Sequence, residues 1–135
     1  MIMVGAHDLA KLRKFYEQGL GWKVWGHVTP ISIAYSVGHT VLVFLDSDYL
    51  AKERGEPIAR GTNASLAVFV PTKDEASAVF AHAVAAGGKE TSPFKLRDGG
   101  LYSGYFADPE GNSWEVVWSP DMPLDATGAL TLPAN

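Results

Sequence analysis

Apolar and polar positions in the first half of the chain change period in a regular order. Residues 1–6 are short and apolar, as expected of a strand covered on both faces, and Asp8 follows where it can cap a helix. From Leu9 to Leu20, apolar residues recur at helical spacing and glycines close the segment. Three strands rich in β-branched and aromatic residues are predicted next, at 22–27, 31–37 and 40–45.

The second half of the chain repeats this order. Residues 64–70 predict another buried strand, and Thr72 and Glu75 have the spacing of a capping box at the start of a second helix. Three more strands are predicted at 89–95, 101–107 and 113–118. An Asp at the helix start precedes a Gly beyond the helix end by 13 positions in both halves, Asp8 to Gly21 and Asp74 to Gly87. The sequence therefore predicts a duplicated βαβββ module.

The chain is expected to form a single domain over residues 1–135, a length that can bury one hydrophobic core. The segment between the modules should contain one helical turn, capped by Ser47 and ended by Gly55, and otherwise serve as a linker or lid. A tail with three prolines is expected to pack as irregular chain. The predicted parts are module one at about 1–46, the linker or lid at 47–63, module two at about 64–118 and the tail at 119–135.

Composition limits the classes of partner. The chain is 47% hydrophobic and 19% charged, as in ordinary globular proteins, and its formal net charge of −4 provides no attraction to phosphate backbones. We expect no nucleic-acid partner and no membrane partner. The absence of cysteine excludes disulfides and thiolate chemistry, and it fits a cytoplasmic location.

Two segments resemble a known family. GYFADPEGNSWEV at 104–116 resembles the terminal hairpin of the vicinal oxygen chelate superfamily, which includes glyoxalase I, bleomycin-resistance proteins and extradiol dioxygenases. DLAKLRKFYEQGLGW at 8–22 resembles the first helix of that superfamily, and WSPDMPLD in the tail resembles an uncharacterised glyoxalase-like subgroup. The resemblance implies an α+β fold in which the two modules form a curved mixed sheet around a cavity, with the helices on its convex side.

The last predicted strand places one carboxylate toward that cavity. Trp114, Val116 and Trp118 share one face of the strand, which belongs against the helices, so Glu115 should point into the cavity. The preceding Asp108–Gly111 segment is explained as a tight turn, and we assign it no chemical role.

The resemblance also implies where metal-binding members hold a divalent ion. Ligands come from the first strand, the strand opening the second module and the closing strand of each module. By spacing, these positions fall on Met1, on Leu66 or Val68, on Leu42 and on Glu115. Only the last suits a hard cation, and a catalytic ion normally needs about three protein ligands. The four histidines form no ligand-spaced motif. We therefore predict no metal and no other cofactor, with a divalent metal as the alternative.

Two functions remain open on these residues. The leading one is a bleomycin-resistance-like protein that binds a small amphipathic molecule in the cavity, with Glu115 as an anchor for an amine or amide. The alternative is a lyase, isomerase or dioxygenase of the same superfamily, either metal-dependent or using Glu115 as general base. We also expect a homodimer, because pairing protects open sheet edges. The aromatic candidates for contacting the ligand are Trp22, Tyr35, Phe44, Tyr102 and Tyr105.

Overall fold

The helices and strands follow the predicted order in a computed structural model that describes residues 1–61 and 63–131. The first half contains β1 (Ile2–Ala6), α1 (Leu9–Arg13), which continues as a π-helical segment (Lys14–Gly19), β2 (Ser32–Val37), β3 (Thr40–Asp46) and α2 (Ser47–Arg54). The second half contains β4 (Ser65–Phe69), α3 (Lys73–Ala85), β5 (Lys89–Leu96), β6 (Tyr102–Ala107) and β7 (Ser113–Trp118). The predicted α+β class is confirmed.

Residues 22–27 differ from the prediction because they do not form a full strand. Val24 makes one isolated antiparallel bridge with Tyr35, and the Trp25 N–H donates to the Ala34 carbonyl over 2.7 Å. Gly26 then adopts a positive φ of 75°, which turns the chain away from β2. The first module therefore contributes one strand fewer than the second.

The strands form two mixed sheets rather than one continuous sheet. The first has the order β1-β3-β2, and the second has the order β4-β7-β6-β5. In each sheet the first and last strands of the module pair in parallel, β1 with β3 and β4 with β7. Because β1 pairs only with β3, and β4 pairs only with β7, β1 and β4 are edge strands within the described residues.

The predicted caps position the first and third helices. The Asp8 carboxylate accepts the Lys11 N–H over 2.9 Å at the start of α1. The Thr72 hydroxyl accepts the Glu75 N–H over 3.1 Å at the start of α3. Each bond satisfies a backbone donor that has no partner within its helix.

The helical turn predicted between the modules is present as α2, but its cap is not the predicted residue. Asp46 caps the helix by accepting the Tyr49 N–H over 2.9 Å, because its carboxylate lies one position ahead of the first helical residue. Ser47 is buried instead, and its hydroxyl hydrogen-bonds His7 Nδ1 over 3.0 Å. Gly55 ends the helix with a φ of 79°, as expected. No described helix has the length and apolar character that crossing a membrane requires.

One aromatic core joins the two modules. Tyr16, from the π-helical segment, is fully buried, and its ring lies 5.1 Å from that of Phe44 and 6.1 Å from that of Trp114. Phe15 similarly contacts Phe106 of the second sheet. Burial of each large apolar side chain contributes about 1.5–3 kcal/mol, so this shared core holds the helix-facing sides of both sheets together.

A buried polar network lies at the centre of this core. The Tyr16 hydroxyl donates to Asp108 Oδ2 over 2.7 Å and accepts the Trp114 indole N–H over 2.8 Å. Asn112 Nδ2 also donates to Asp108 Oδ2, and the Glu110 and Asn112 backbone N–H groups donate to Asp108 Oδ1. The buried Asp108 therefore stabilises its own turn and also binds Tyr16 of the first module.

Glu110 forms a second connection between this turn and the first module. Its buried carboxylate accepts the His7 backbone N–H over 2.7 Å and Arg60 Nη1 over 3.0 Å.

The tail also contacts the first module, because the Thr127 hydroxyl lies 3.1 Å from His39 Nε2. Within the tail, Leu124 and Leu130 form an isolated bridge. The described part of the tail is therefore more ordered than expected.

Replacement of Tyr16 tests the central network. Tyr16→Phe removes a donor from Asp108 and leaves the buried Trp114 N–H without its acceptor. Each lost partner costs about 1–3 kcal/mol, so the free energy of unfolding at neutral pH should fall by roughly 2–4 kcal/mol in urea titrations. Tyr49→Phe, at an exposed position of α2, is the control and should change stability little.

The same variant has a signature at high pH. Burial first, and then the Asp108 charge, raises the pKa of Tyr16 well above its ordinary value. Because the pKa of Tyr16 is higher in the folded than in the unfolded protein, the protonated phenol contributes to the free energy of unfolding. This contribution is fully present below the unfolded pKa of about 10 and is lost as the pH rises toward the folded pKa. The wild-type protein should lose stability above about pH 10, and more steeply than Tyr16→Phe. Parallel pH profiles would contradict this assignment.

Candidate functional site

The alternation predicted for the last strand is present in the structure. Trp114 and Val116 are buried in the shared core, on the helix-facing side of the second sheet. Glu115 is half-buried and lies on the opposite face. The buried Val117 shares that face, so part of it is covered.

Strand register places Glu115 in a row of four residues across the second sheet. Tyr105 on β6 is its antiparallel partner, and Ala67 on β4 is its parallel partner. Ser92 on β5 pairs with Tyr105 and completes the row. Side chains paired in this way project from the same face, so the carboxylate is flanked by a phenol on one side and a methyl group on the other.

Glu115 and Tyr105 are neighbours across β7 and β6, a carboxylate acceptor beside a phenol donor group. Glu115 raises the pKa of Tyr105, first as a hydrogen-bond acceptor and then, after partial burial, through its negative charge. The phenol therefore remains protonated at neutral pH and can donate to the carboxylate. Glu115 keeps further lone pairs for a donor on a ligand.

Arg97 fixes the other side of Tyr105. Its guanidinium donates to the Ser103 and Ser92 hydroxyls over 3.2 and 3.0 Å, and to the Pro93 and Ser103 carbonyls over 3.0 Å. The guanidinium carbon lies 5.3 Å from the centroid of the Tyr105 ring, within the range of a cation–π contact. Arg97 therefore holds the ring and limits where its hydroxyl can point.

Sequence reasoning did not identify Arg97. Two register shifts in β5, between Glu90 and Ser92 and between Ser92 and Lys95, interrupt simple alternation before this residue is reached. The available signal was its position before the turn residues Asp98 and Gly99, where an Arg can fold back over the hairpin.

Register corrects three of the positions equivalent to Glu115. In the first sheet Met3 pairs with Val43, as Ala67 pairs with Glu115 in the second. The symmetric set is therefore Met3, Val43, Ala67 and Glu115. The predicted Leu42, Leu66 and Val68 are not in it, because their side chains face the core, and the predicted Met1 lies two residues before Met3.

The corrected set still offers one hard ligand. Met3 carries a thioether, and Val43 and Ala67 carry hydrocarbon side chains, so Glu115 is the only carboxylate among the four. In the described ranges 1–61 and 63–131, no group of three or more His, Asp and Glu residues is arranged to hold a metal ion. This donor set does not fit the divalent ion that a site of this kind would need.

Four of the five aromatic candidates lie away from Glu115. Tyr35 and Phe44 are fully buried around Tyr16, and Trp22 packs against the same ring. Tyr102 stacks on Phe94 on the helix-facing side, with the Lys73 ammonium 3.7 Å from its centroid. Tyr105 alone among the five shares the face of Glu115. Tyr35, Phe44 and Tyr102 occupy strand positions whose side chains face the core, and Trp22 lies outside the strands.

The face of Glu115 is partly covered in the described part of the chain, since Val117 and its strand partner Ser103 are buried. Glu115 lines none of four cavities of about 390–460 Å³, although one of them reaches its neighbour Ala67. In the linker, Ile58 lies against Gly5 of β1, where an added Cβ would collide with its side chain. The predicted lid therefore packs on the first module at Ile58 and on the terminal turn through Arg60.

Comparison with known proteins agrees with this architecture. A glyoxalase-related enzyme from Fulvimarina pelagi is 31% identical, with a TM-score of 0.90 over 98% of this chain and 96% of that one. A glyoxalase/bleomycin resistance protein/dioxygenase family enzyme from Burkholderia phytofirmans (19% identity, TM-score 0.73, 86% and 94% coverage) has the same fold. A lactoylglutathione lyase from Agrobacterium tumefaciens (19% identity, TM-score 0.68, 87% and 91% coverage) shares it too. No curated protein matches the chain.

The family model described as Glyoxalase/Bleomycin resistance protein/Dioxygenase superfamily matches residues 1–116, most of the chain. The Fulvimarina protein supports the same assignment over nearly the full length. The chain therefore belongs to the glyoxalase, bleomycin resistance protein and dioxygenase superfamily.

Proposed function

We propose that this protein binds a small amphipathic molecule on the Glu115 face of the second sheet, without a metal ion. The observation that carries the proposal is the row formed by Ser92, Tyr105, Glu115 and Ala67. It presents one carboxylate whose neighbouring phenol is held in place by Arg97. An oriented acceptor on a sheet face selects a ligand that carries an N–H donor.

The surroundings of the carboxylate explain why the ligand should be amphipathic. Ala67 and Phe69 of β4 share the face of Glu115 and provide apolar surface. Among the strand residues on this face, Glu115 is the one acid. A ligand with an amine or amide at one end and an apolar body would satisfy both parts of the site.

A second candidate function uses the same carboxylate for proton transfer. The Tyr105 phenol beside Glu115 provides a donor and acceptor pair, so Glu115 could act as general base in a lyase, isomerase or dioxygenase of this superfamily. The similarity to a lactoylglutathione lyase adds a specific reaction to assay. Glutathione-dependent turnover of methylglyoxal that Glu115→Gln abolishes would favour this function over binding alone.

Two dyes of opposite charge test the binding proposal. The cationic, amine-bearing dye proflavine should bind the wild-type protein saturably, and Glu115→Gln should weaken it about tenfold or more, because a hydrogen bond to a charged group contributes about 1.5–3 kcal/mol. Anionic anilinonaphthalene sulfonate should not lose affinity in the variant. Both affinities are measured by fluorescence titration.

Glu90→Gln is the matched control for this test. Glu90 is exposed and pairs with Phe106, so it lies on the opposite face of the same sheet. Its removal changes net charge by the same amount and should leave proflavine affinity unchanged. Equal losses in both variants would show a general charge effect and contradict the role of Glu115.

The metal prediction needs a separate measurement. Because one carboxylate and no nitrogen donor occupy the four symmetric positions, added zinc, nickel, manganese or ferrous ion should not raise the thermal unfolding midpoint. Protein purified without chelator should contain well under one metal ion per chain by elemental analysis. Stoichiometric metal that Glu115→Gln releases would overturn the metal-free proposal.

We also propose that the protein is a homodimer. β1 and β4 are each paired on one side only within the described residues, and Met1, Ile2 and Met3 on β1 are exposed apolar residues. Light scattering at micromolar concentration should give twice the chain mass. Met3→Lys should shift the population toward monomer, whereas Val28→Lys, at an exposed loop position, should not. A wild-type monomer would contradict the proposal.

A further inference from the structure

Two cavities lie next to the second sheet, one along its helix-facing side and one around its edge strand β4. One, of about 460 Å³, lies between Leu42 of the first sheet and edge strand β4. The other, of about 390 Å³, lies between the π-helical segment and α3. Trp22, Val68 and Trp114 line both cavities, so these three side chains form the wall between them.

The size and lining of these cavities suit a small uncharged molecule. Each falls within the range of about 300–1,000 Å³ that is typical of ligand pockets. No Asp, Glu, Lys or Arg among the described residues lines either one. Apart from the His82 imidazole beside the smaller cavity, a charged ligand would find no charged partner there in exchange for its hydration, which disfavours ions. Val79, 40% exposed on α3, marks where the smaller cavity reaches solvent.

The wall between the cavities also carries a free hydrogen-bond donor. The Trp114 indole N–H donates to Tyr16, whereas the Trp22 indole N–H has no protein acceptor within the described part of the chain. The two indole rings are 5.6 Å apart and nearly perpendicular. Trp22 therefore offers a ligand both an aromatic surface and one donor.

We infer that these cavities form a second binding site, which takes an uncharged aromatic molecule carrying an acceptor oxygen such as a ketone. The aromatic body packs against Trp114 and Val68, and the oxygen accepts the Trp22 N–H. This site does not depend on the proposed function of Glu115. The larger cavity reaches Ala67 around the edge of β4, but Glu115 lines neither cavity.

The uncharged fluorescent naphthyl ketone Prodan is the probe for this site. One Prodan molecule should bind per chain. Excitation energy absorbed by the tryptophans should be transferred to the bound Prodan and appear in its fluorescence. Val68→Phe places a larger side chain where Val68 lines both cavities, so it reduces their volume and should weaken Prodan binding about tenfold or more. Trp22→Phe retains the ring but removes the donor, so it should weaken Prodan about three- to tenfold.

Controls separate this site from folding defects and from the Glu115 face. Trp25→Phe changes an exposed indole that lines neither cavity and should bind Prodan normally. The ketone-free parent dimethylaminonaphthalene should bind Trp22→Phe and wild type equally, which a misfolded variant would not do. Glu115→Gln should leave Prodan binding unchanged. Absence of saturable binding, or equal Prodan affinity in wild type and Trp22→Phe, would overturn the inference.

Discussion

The hydrogen bond from the Tyr16 hydroxyl to the buried Asp108 carboxylate is the interaction on which the arrangement of the two modules depends. It joins residues 92 positions apart, one on the first helical segment and one at the start of the terminal turn. The phenol also accepts the Trp114 N–H, so one side chain satisfies a buried acid and a buried indole together. A buried polar group without such partners would cost more than the bond contributes, which makes the pairing specific.

This shared core determines which surfaces remain available for chemistry. The helix-facing sides of both sheets pack against each other through aromatic rings, and their opposite faces carry Met3, Val43, Ala67 and Glu115. The two modules thus share the pairing of their opening and closing strands but differ in the side chains that these strands carry. One module retains an acid beside a positioned phenol, while the corresponding position of the other retains valine. This asymmetry favours recognition of a ligand from one side over chelation from several.

Sequence periodicity was sufficient to predict the architecture and the orientation of Glu115, because strand alternation and helix caps are local properties. It was insufficient wherever the answer depended on register between strands. Tyr35 and Phe44 have the composition of pocket residues but the parity of core residues, and Arg97 follows two irregularities in β5. The Asp108 turn was recognised only as a turn, since neither Tyr16 nor His7 is near it in sequence.

The bonds within the Asp108 turn have a consequence for how the chain assembles. Asp108 Oδ1 accepts N–H groups from two and four residues ahead, so this carboxylate can be oriented by contacts that close only very short loops. The acceptor of the Tyr16 hydroxyl is thus a carboxylate whose orientation is set by hydrogen bonds within its own turn. Ordering the Asp108 carboxylate therefore adds little to the entropic cost of docking the first helical segment.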